Sequence, residues 1–363
     1  MVKGVAINGA GGRIGRAVTN EFSELDCNKL EVRLLNEPLG IDYVVNSYRN
    51  RDPVHGVYPW KIEKLSDNQI TINGLPVYFT AEKDLSNIPF KDKGIDMILE
   101  CSGFFGDPKP KDKTTKLTSA DNLANKFIQY GIETVIQTYP VKTADAMLVM
   151  GVNHQLYDQR NHRTISNASC TTKALAMPLQ VLIDNGIHID ALSMDTTHAA
   201  TASQGKDPGV LGTLSQILTH STGAAKATGL VIPSLAGRMT GMSYRVPTLD
   251  GSFANLYFVA LSNVNLNQEK LNEMFASAVK DPRYAGRIGI HEGKDAGTFD
   301  IIGRRENAVI IPSKTIVIPL SFMNNNLSKP PYAHLITVIS GYDNELGSSV
   351  DPVLLAKYIA EKH

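Results

Sequence analysis

Val2-Lys3-Gly4-Val5-Ala6-Ile7 is a short apolar run that passes directly into Asn8-Gly9-Ala10-Gly11-Gly12-Arg13-Ile14-Gly15-Arg16. The pattern predicts a buried strand, a glycine turn and a helix to about Leu25. Such a start opens a dinucleotide-binding βαβ unit, because glycines let the backbone turn tightly and approach a pyrophosphate on the helix N-terminus. Glu31-Val32-Arg33-Leu34-Leu35-Asn36-Glu37 predicts a second strand ending in an acid, about 20 residues past the loop, where a ribose-binding carboxylate belongs. Glu37 would accept hydrogen bonds from the adenosine ribose and repel a 2′-phosphate, which favours NAD over NADP. The cofactor-binding candidates here are Asn8, Gly9, Gly11, Gly12, Arg13, Ile14 and Glu37. Taken alone, the loop is also open to reading as an ordinary βα turn, and Glu37 as a solvated acid at a strand end.

A chain of 363 residues exceeds the usual size of one hydrophobic core, so two domains are expected. Ile70 to Phe79 reads as a hairpin turning at Asn73-Gly74, a pair suited to two positive-φ positions. Ile95 to Leu99 reads as a buried strand running into Glu100-Cys101-Ser102-Gly103, and Cys101 reads as a packing residue. Gly106 to Lys116, rich in Lys, Pro and Asp, reads as an exposed loop. A helix is expected over Ser119 to Tyr130, then strands at Thr134 to Gln137 and Met147 to Val152. This alternation is that of a doubly wound sheet ending near Ile165. Beyond Cys170 the predicted strands are Ala191 to Thr197, Thr240 to Val246, Ala254 to Leu261, Ala308 to Pro312 and Thr315 to Leu320. A helix over Gln268 to Lys280 interrupts them, and a helix capped at Asp351-Pro352 closes the chain near Glu361. The fold class is thus an α/β Rossmann-type dinucleotide-binding domain followed by an α+β domain with a mostly antiparallel sheet.

Formal net charge is +0, which argues against a nucleic-acid or anionic-membrane partner. Three cysteines, Cys27, Cys101 and Cys170, form neither a disulfide framework nor a metal-ligand spacing. They suit a reducing compartment. Neither a signal peptide nor a transmembrane run is visible, so a cytoplasmic protein without a resident metal is expected.

Ser166-Asn167-Ala168-Ser169-Cys170-Thr171-Thr172 sets a cysteine among hydroxyl residues at the head of an apolar stretch with helical spacing. A helix N-terminus favours thiolate over thiol through its dipole and free N–H groups. Further on, Asp195-Thr196-Thr197-His198-Ala199-Ala200-Thr201 offers an imidazole able to take a thiol proton. Spacing alone does not bring His198 to Cys170, since a lone histidine is commonly a core or surface residue.

SNASCTT, the THAAT run, Ser221 to Gly229 (STGAAKATG), Thr240 to Thr248 (TGMSYRVPT) and Tyr342 to Gly347 (YDNELG) follow in this order after NGAGGRIGR. Together they resemble the phosphorylating glyceraldehyde-3-phosphate dehydrogenase family over nearly the whole chain. The resemblance implies an NAD-binding domain at 1–168, completed by the C-terminal helix 348–363, and a catalytic domain at 169–347. It implies that Cys170 attacks the aldehyde of glyceraldehyde 3-phosphate, that hydride passes to NAD, and that inorganic phosphate resolves the thioester to 1,3-bisphosphoglycerate. His198 would be the base. Ser169, Thr171, Thr222 and Gly223 match the inorganic-phosphate positions, Thr201 and Arg245 the site for the substrate's own phosphate, and Asn344 a nicotinamide-carboxamide ligand. Ser102 and Gly103 match a segment beside the cofactor. A homo-oligomer, by resemblance a tetramer, and a place in glycolysis are implied with it.

The chain departs from the family pattern at several places. Its glycine loop carries one residue more and resembles that of dihydrodipicolinate reductases, and Glu37 stands where an aspartate is usual. Lys173 replaces an asparagine, Ala174 a second cysteine, Gly341 a tryptophan and Ser348 a tyrosine. Gln204 to His220 is shorter than usual, and Met323 to Pro331 reads as an inserted loop. Erythrose 4-phosphate would satisfy the same motifs as substrate. A non-catalytic nucleotide- or partner-binding descendant is the reading from another class, and a cysteine hydrolase a third, which the glycine loop and Glu37 disfavour.

Overall fold

The computed structural model describes residues 2–25, 27–110, 115–200, 217–320 and 330–362. The chain divides into two compact units. One comprises residues 1–150, 154–168 and 349–363, and the other 151–153 and 169–348. No described helix is long and apolar enough to cross a membrane.

In the first unit the opening run becomes β1 (Lys3–Asn8), the glycine loop follows, and α1 spans Arg13–Glu24. Next come β2 (Leu30–Asn36), α2 (Ile41–Arg49), β3 (Ile62–Ser66), β4 (Gln69–Ile72), β5 (Leu75–Thr80) and β6 (Ile95–Glu100). α3 (Asn125–Gln129), β7 (Thr134–Gln137), β8 (Ala146–Met147) and β9 (Thr164–Ser166) complete the sheet. Among the described residues it has nine strands in the order β3-β4-β5-β2-β1-β6-β7-β9-β8. From β5 to β8 all pairs are parallel, and β3-β4-β5 form an antiparallel edge. The β4–β5 hairpin turns at Asn73 (φ 52°) and Gly74 (φ 82°), the two positive-φ positions its sequence predicts. Val5, Ile7, Leu35, Met97 and Leu99 are buried in one core, beside Val353, Leu355 and Ile359 from the end of the chain. Burial of this kind contributes about 25 cal/mol per Å² of apolar surface.

Two expectations are corrected here. The helix over Ser119 to Tyr130 is a short turn at Ser119–Asp121 and then α3 alone, because the Asn122 Oδ1 accepts from Ala124 N at 3.0 Å and competes with helix propagation. The strand over Met147 to Val152 ends at Met147. Gly151 takes φ 80°, and the carbonyls of Gly151 and Val152 accept from the Arg283 guanidinium instead of a ladder.

The second unit opens with α4 (Cys170–Asp184), buried on nearly every face, and β10 (His188–Ala199). β11 (Leu218–Ser221), α5 (Ala224–Val231), β12 (Met239–Val246), β13 (Ser252–Ser262) and α6 (Gln268–Lys280) follow. Then come β14 (Ile288–Ile290), β15 (Ala308–Ile310), β16 (Ile316–Pro319) and β17 (Tyr332–Tyr342). The sheet order is β11-β12-β10-β13-β17-β15-β14, with β16 also on β17. Pairing is mostly antiparallel, with β10–β12 and β14–β15 parallel. β17, which the sequence reading did not name, pairs with three strands.

The closing helix, α7 (Leu346–Lys362), begins five residues before the expected cap at Asp351, and Pro352 lies inside it. Proline lacks an N–H, so the carbonyl four residues back, Ser348, needs another donor. The Lys173 ammonium supplies one at 3.0 Å.

Candidate active site

In the first unit the carboxyl ends of β1, β2 and β6 are joined by a buried polar network. Asn36 Nδ2 donates to Asn8 Oδ1 at 2.7 Å, and Thr80 Oγ1 donates to Asn36 Oδ1 at 2.8 Å. Asn8 Nδ2 donates to Glu100, whose Oε1 also accepts from Ser102 N at 2.7 Å and from the Ser102 hydroxyl. Burial pushes Glu100 up to about 7, and its hydrogen bonds only partly offset that. Such strand ends are where open α/β sheets bind ligands.

The glycine loop rests on this floor. Gly9 has φ 78°, and a Cβ there would lie 2.8 Å from the Ser102 backbone. A Cβ at Gly15 would run into the Gly9 carbonyl, so α1 packs against the loop only without a side chain there. Gly12 begins α1 with no side-chain cap, a terminus suited to a phosphate. Arg13 and Ile14 form its first turn, and the Ile14 side chain packs on the core. Glu37 is buried, with Oε2 accepting from Gly11 N at 3.1 Å and Oε1 from Leu39 N at 3.3 Å. Each oxygen keeps a lone pair for a ribose hydroxyl. Gly103, at φ 77°, follows Ser102 at the end of β6. The residues present therefore fit a dinucleotide: a side-chain-free cradle, an open helix N-terminus and a carboxylate at the second strand's end. Cys101 is pushed up by burial and packs on the core, consistent with a packing role.

In the second unit the cysteine heads α4. Ala168, at φ 58°, turns the chain, and Ser169 caps the helix by accepting from Thr172 N at 3.1 Å. Cys170 is thus the first helical residue. Its Sγ lies 3.6 Å from Nε2 of His198, near the end of β10. His198 Nδ1 is 2.8 Å from the carbonyl of Ala199. That bond requires the proton on Nδ1, which leaves Nε2 as an acceptor facing the sulfur. Desolvation, then Arg245, lower His198 to about 4, so the imidazole is neutral at pH 7. Burial also pushes the Cys170 thiol up, outweighing Lys173, Thr171 and Arg245. The resting pair is therefore a neutral thiol and imidazole, not the ion pair that a helix N-terminus by itself would favour.

Arg245 stands opposite His198 in the parallel β10–β12 register, its guanidinium 3.4 Å from the Ala199 carbonyl. Thr171 turns its hydroxyl to Tyr342 at 2.9 Å, and Tyr342 also meets Thr196 at 2.8 Å. The Tyr342 ring stands edge-on to His198, with 6.0 Å between centroids. Thr222 Oγ1 accepts from Ala224 N at 3.1 Å, and Gly223 caps α5. Asn344 Oδ1 accepts from Ser252 Oγ at 2.9 Å, and Ser252 Oγ accepts from Ala199 N at 3.2 Å. Thr201 lies outside the described residues. Sequence reasoning missed Tyr342 as an orienting group, buried Ser252, and Glu100 as the floor of the glycine loop. Tyr342 opens the quoted YDNELG run, yet nothing local to it announces His198 as a neighbour.

Two family models match the chain. "Glyceraldehyde 3-phosphate dehydrogenase, NAD binding domain" matches residues 3–108, and "Glyceraldehyde 3-phosphate dehydrogenase, C-terminal domain" matches residues 169–332. Among curated relatives, the glyceraldehyde-3-phosphate dehydrogenase of Omphalotus olearius is 35% identical, covering 100% of this chain and 99% of its own. That of Bacteroides fragilis is 34% identical over the full length of both, and that of Chlamydia muridarum 33% identical over 98% of each.

Proposed function

The chain belongs to the glyceraldehyde 3-phosphate dehydrogenase family, and on that premise we propose that it oxidises glyceraldehyde 3-phosphate to 1,3-bisphosphoglycerate with NAD and inorganic phosphate. The observation that carries the reading is the Cys170–His198 pair, with Sγ 3.6 Å from an Nε2 whose acceptor role is fixed through Ala199. His198 Nε2 takes the thiol proton as the sulfur attacks the aldehyde carbon, and it returns that proton to the carbonyl oxygen, giving a hemithioacetal. NAD, when bound, accepts the hydride from that carbon. His198 takes the hydroxyl proton as the C=O bond of the thioester forms. A phosphate oxygen then attacks the thioester carbonyl, the C–S bond breaks, the acyl phosphate leaves, and the Cys170 thiolate takes back the proton held by His198, restoring the neutral pair.

The residues for two phosphates follow from their donors. Thr222 accepts a backbone N–H bond as a cap, which leaves its O–H to donate to inorganic phosphate. Ser169, which meets the Thr172 hydroxyl at 2.7 Å, would turn its O–H from Thr172 to that phosphate, with Thr172 donating in return. Thr171 and Gly223 N–H lie beside them in sequence. Arg245 offers a planar guanidinium to the substrate's phosphate, with Thr201 assigned to it from the sequence. Asn8, Gly9, Gly11, Gly12, Arg13, Ile14, Glu37, Ser102 and Gly103 would hold the cofactor, and Asn344 would donate its amide N–H to the carboxamide because Ser252 engages its oxygen. A cytoplasmic location is supported by three free cysteines, and assembly as a tetramer rests on the family.

The test is NAD reduction by the purified chain with glyceraldehyde 3-phosphate, with and without inorganic phosphate, with NADP and erythrose 4-phosphate as parallel arms. Phosphate-dependent NADH formation is expected. Reduction at equal rates without phosphate would overturn the thioester-phosphorolysis scheme, and a faster rate with erythrose 4-phosphate would reassign the substrate.

A further inference from the structure

From Gly9 to Gly12, every carbonyl of the glycine loop accepts a hydrogen bond from the chain. Gly12 N donates to Gly9 O at 3.2 Å, and Arg16 N donates to Gly12 O at 2.9 Å. The carbonyls between them are met by side chains. The Tyr48 hydroxyl, from α2, donates to Ala10 O at 2.9 Å, and Arg16 Nη1 donates to Gly11 O at 2.9 Å. The N–H groups of the loop are engaged as well. Those of Gly9 and Ala10 go to the Asn36 carbonyl, that of Gly11 to Glu37 and that of Gly12 to Gly9.

The direction of these carbonyls matters to an anion. A diphosphate on the N-terminus of α1 is held by first-turn N–H groups and the positive end of the helix dipole. A carbonyl oxygen turned towards it would oppose both. Glycine lets a peptide turn over at little steric cost, so Gly9-Ala10-Gly11-Gly12 leaves the sense of its carbonyls to outside donors. Tyr48 and Arg16 are those donors, and each is itself held in place. Tyr48 is 2% exposed, its ring centroid lies 4.9 Å from that of Trp60, and Thr19 Oγ1 lies 3.0 Å from its hydroxyl. A carbonyl only accepts, so the Tyr48 proton points to Ala10, and burial keeps that phenol un-ionised. Arg16 turns its other arm to Asp52, Nη2 to Oδ2 at 2.8 Å, while Asp52 Oδ1 accepts from Val54 N and His55 N.

We propose that Tyr48 and Arg16 are positioning residues of the cofactor's diphosphate site, which draw the Ala10 and Gly11 carbonyls inward and leave the open end of α1 to the anion. The inference rests on the reading of the glycine loop as the diphosphate cradle. Neither side chain touches the cofactor in this scheme; each acts through a loop carbonyl.

The test is calorimetric titration of the full chain with ADP, and with adenosine by displacement of ADP. Tyr48→Phe removes the hydroxyl and keeps the ring beside Trp60. Arg16→Lys keeps the charge and loses the fork that spans Gly11 and Asp52. Each is compared at matched folding by circular dichroism. The native chain is expected to bind ADP more tightly than adenosine. In each variant the Kd of ADP should rise about five- to tenfold while that of adenosine is unmoved. A folded variant with an unmoved Kd for ADP, or with ADP and adenosine weakened by the same factor, overturns the role given to that residue and leaves it a part of the scaffold. ADP bound no more tightly than adenosine by the native chain removes the reading of the loop as a diphosphate site, and the proposal with it.

Discussion

His198 is oriented by the residue that follows it: its Nδ1 is tied to the Ala199 carbonyl at 2.8 Å while its Nε2 faces the Cys170 sulfur at 3.6 Å. Because burial and Arg245 lower this imidazole to about 4, it is ready to accept a proton throughout the neutral range. The acid limb of kcat/KM that belongs to His198 should therefore lie near pH 4 and not near 6.5. His198→Asn should reduce kcat by about 10²-fold or more, in line with the loss of a positioned base. A pH–rate profile of both proteins checks this, and an acid limb at 6.5 in the native chain would show that the imidazole is charged at rest.

Glu100 and His198 make opposite demands on pH. The folded chain holds Glu100 at about 7 against 4.5 for a free carboxyl, so it binds more protons than the unfolded chain between those values. The associated stability is fully present below pH 4.5 and is lost as pH rises through 7. It amounts to roughly 3 kcal/mol at full span. His198 is depressed, so its burial penalises the folded state as pH falls from 6.5 towards 4. Glu100→Gln removes the first effect only. Denaturant unfolding at pH 5 and pH 7.5 should then show a net slope more favourable to high pH than in the native chain. An unchanged slope would mean that Glu100 titrates as an ordinary acid.

The parts of this fold that sequence revealed are those whose cause is local. The glycine loop, the Asn73-Gly74 hairpin and α6 behind its Asn267 cap depend on residues a few positions apart, and each stands where it was expected. What went unread depends on distant partners. The helix at Ser119 is cut short because Asn122 turns to Ala124 and also donates to Gln137 at the end of β7. α7 continues back past Asp351 because Lys173, far away in sequence, serves the carbonyl that Pro352 abandons. β17 was passed over although its β-branched run was legible, and that strand carries Tyr342 to Thr171 and Thr196. Cys170 and His198 were nameable from their motifs, but their protonation was not. Burial, which a sequence does not display, makes the thiol and the imidazole both neutral.

At the end of β2, Glu37 serves the glycine loop, and the proposed ribose site would use its remaining lone pairs. Its oxygens accept from Gly11 N and Leu39 N, so the carboxylate is held in place before any cofactor arrives. A hydrogen bond to a charged group contributes about 1.5–3 kcal/mol. Glu37→Ala should therefore weaken NAD by roughly 10- to 100-fold in Kd and narrow the preference over NADP, whose 2′-phosphate the carboxylate repels. Titration of both cofactors by fluorescence measures it. An unchanged NAD to NADP ratio would remove Glu37 from the ribose site.

Arg245 and His198 occupy paired positions on neighbouring parallel strands, so a substrate phosphate on the guanidinium would be held at a set distance from the base. The guanidinium also helps to keep His198 neutral. Removing it should then have two separable consequences. Arg245→Ala should raise KM for glyceraldehyde 3-phosphate at least about tenfold, the scale of a charge-assisted phosphate contact, with KM for NAD little changed. The same variant should move the acid limb of His198 upward, because the cation that disfavours imidazolium is gone. Arg245→Lys should retain the electrostatic effect while losing the bidentate geometry, so its acid limb stays near the native one as KM rises. Steady-state kinetics across pH separate the outcomes: a KM effect equal for both substrates would place Arg245 in the scaffold and not in the phosphate site.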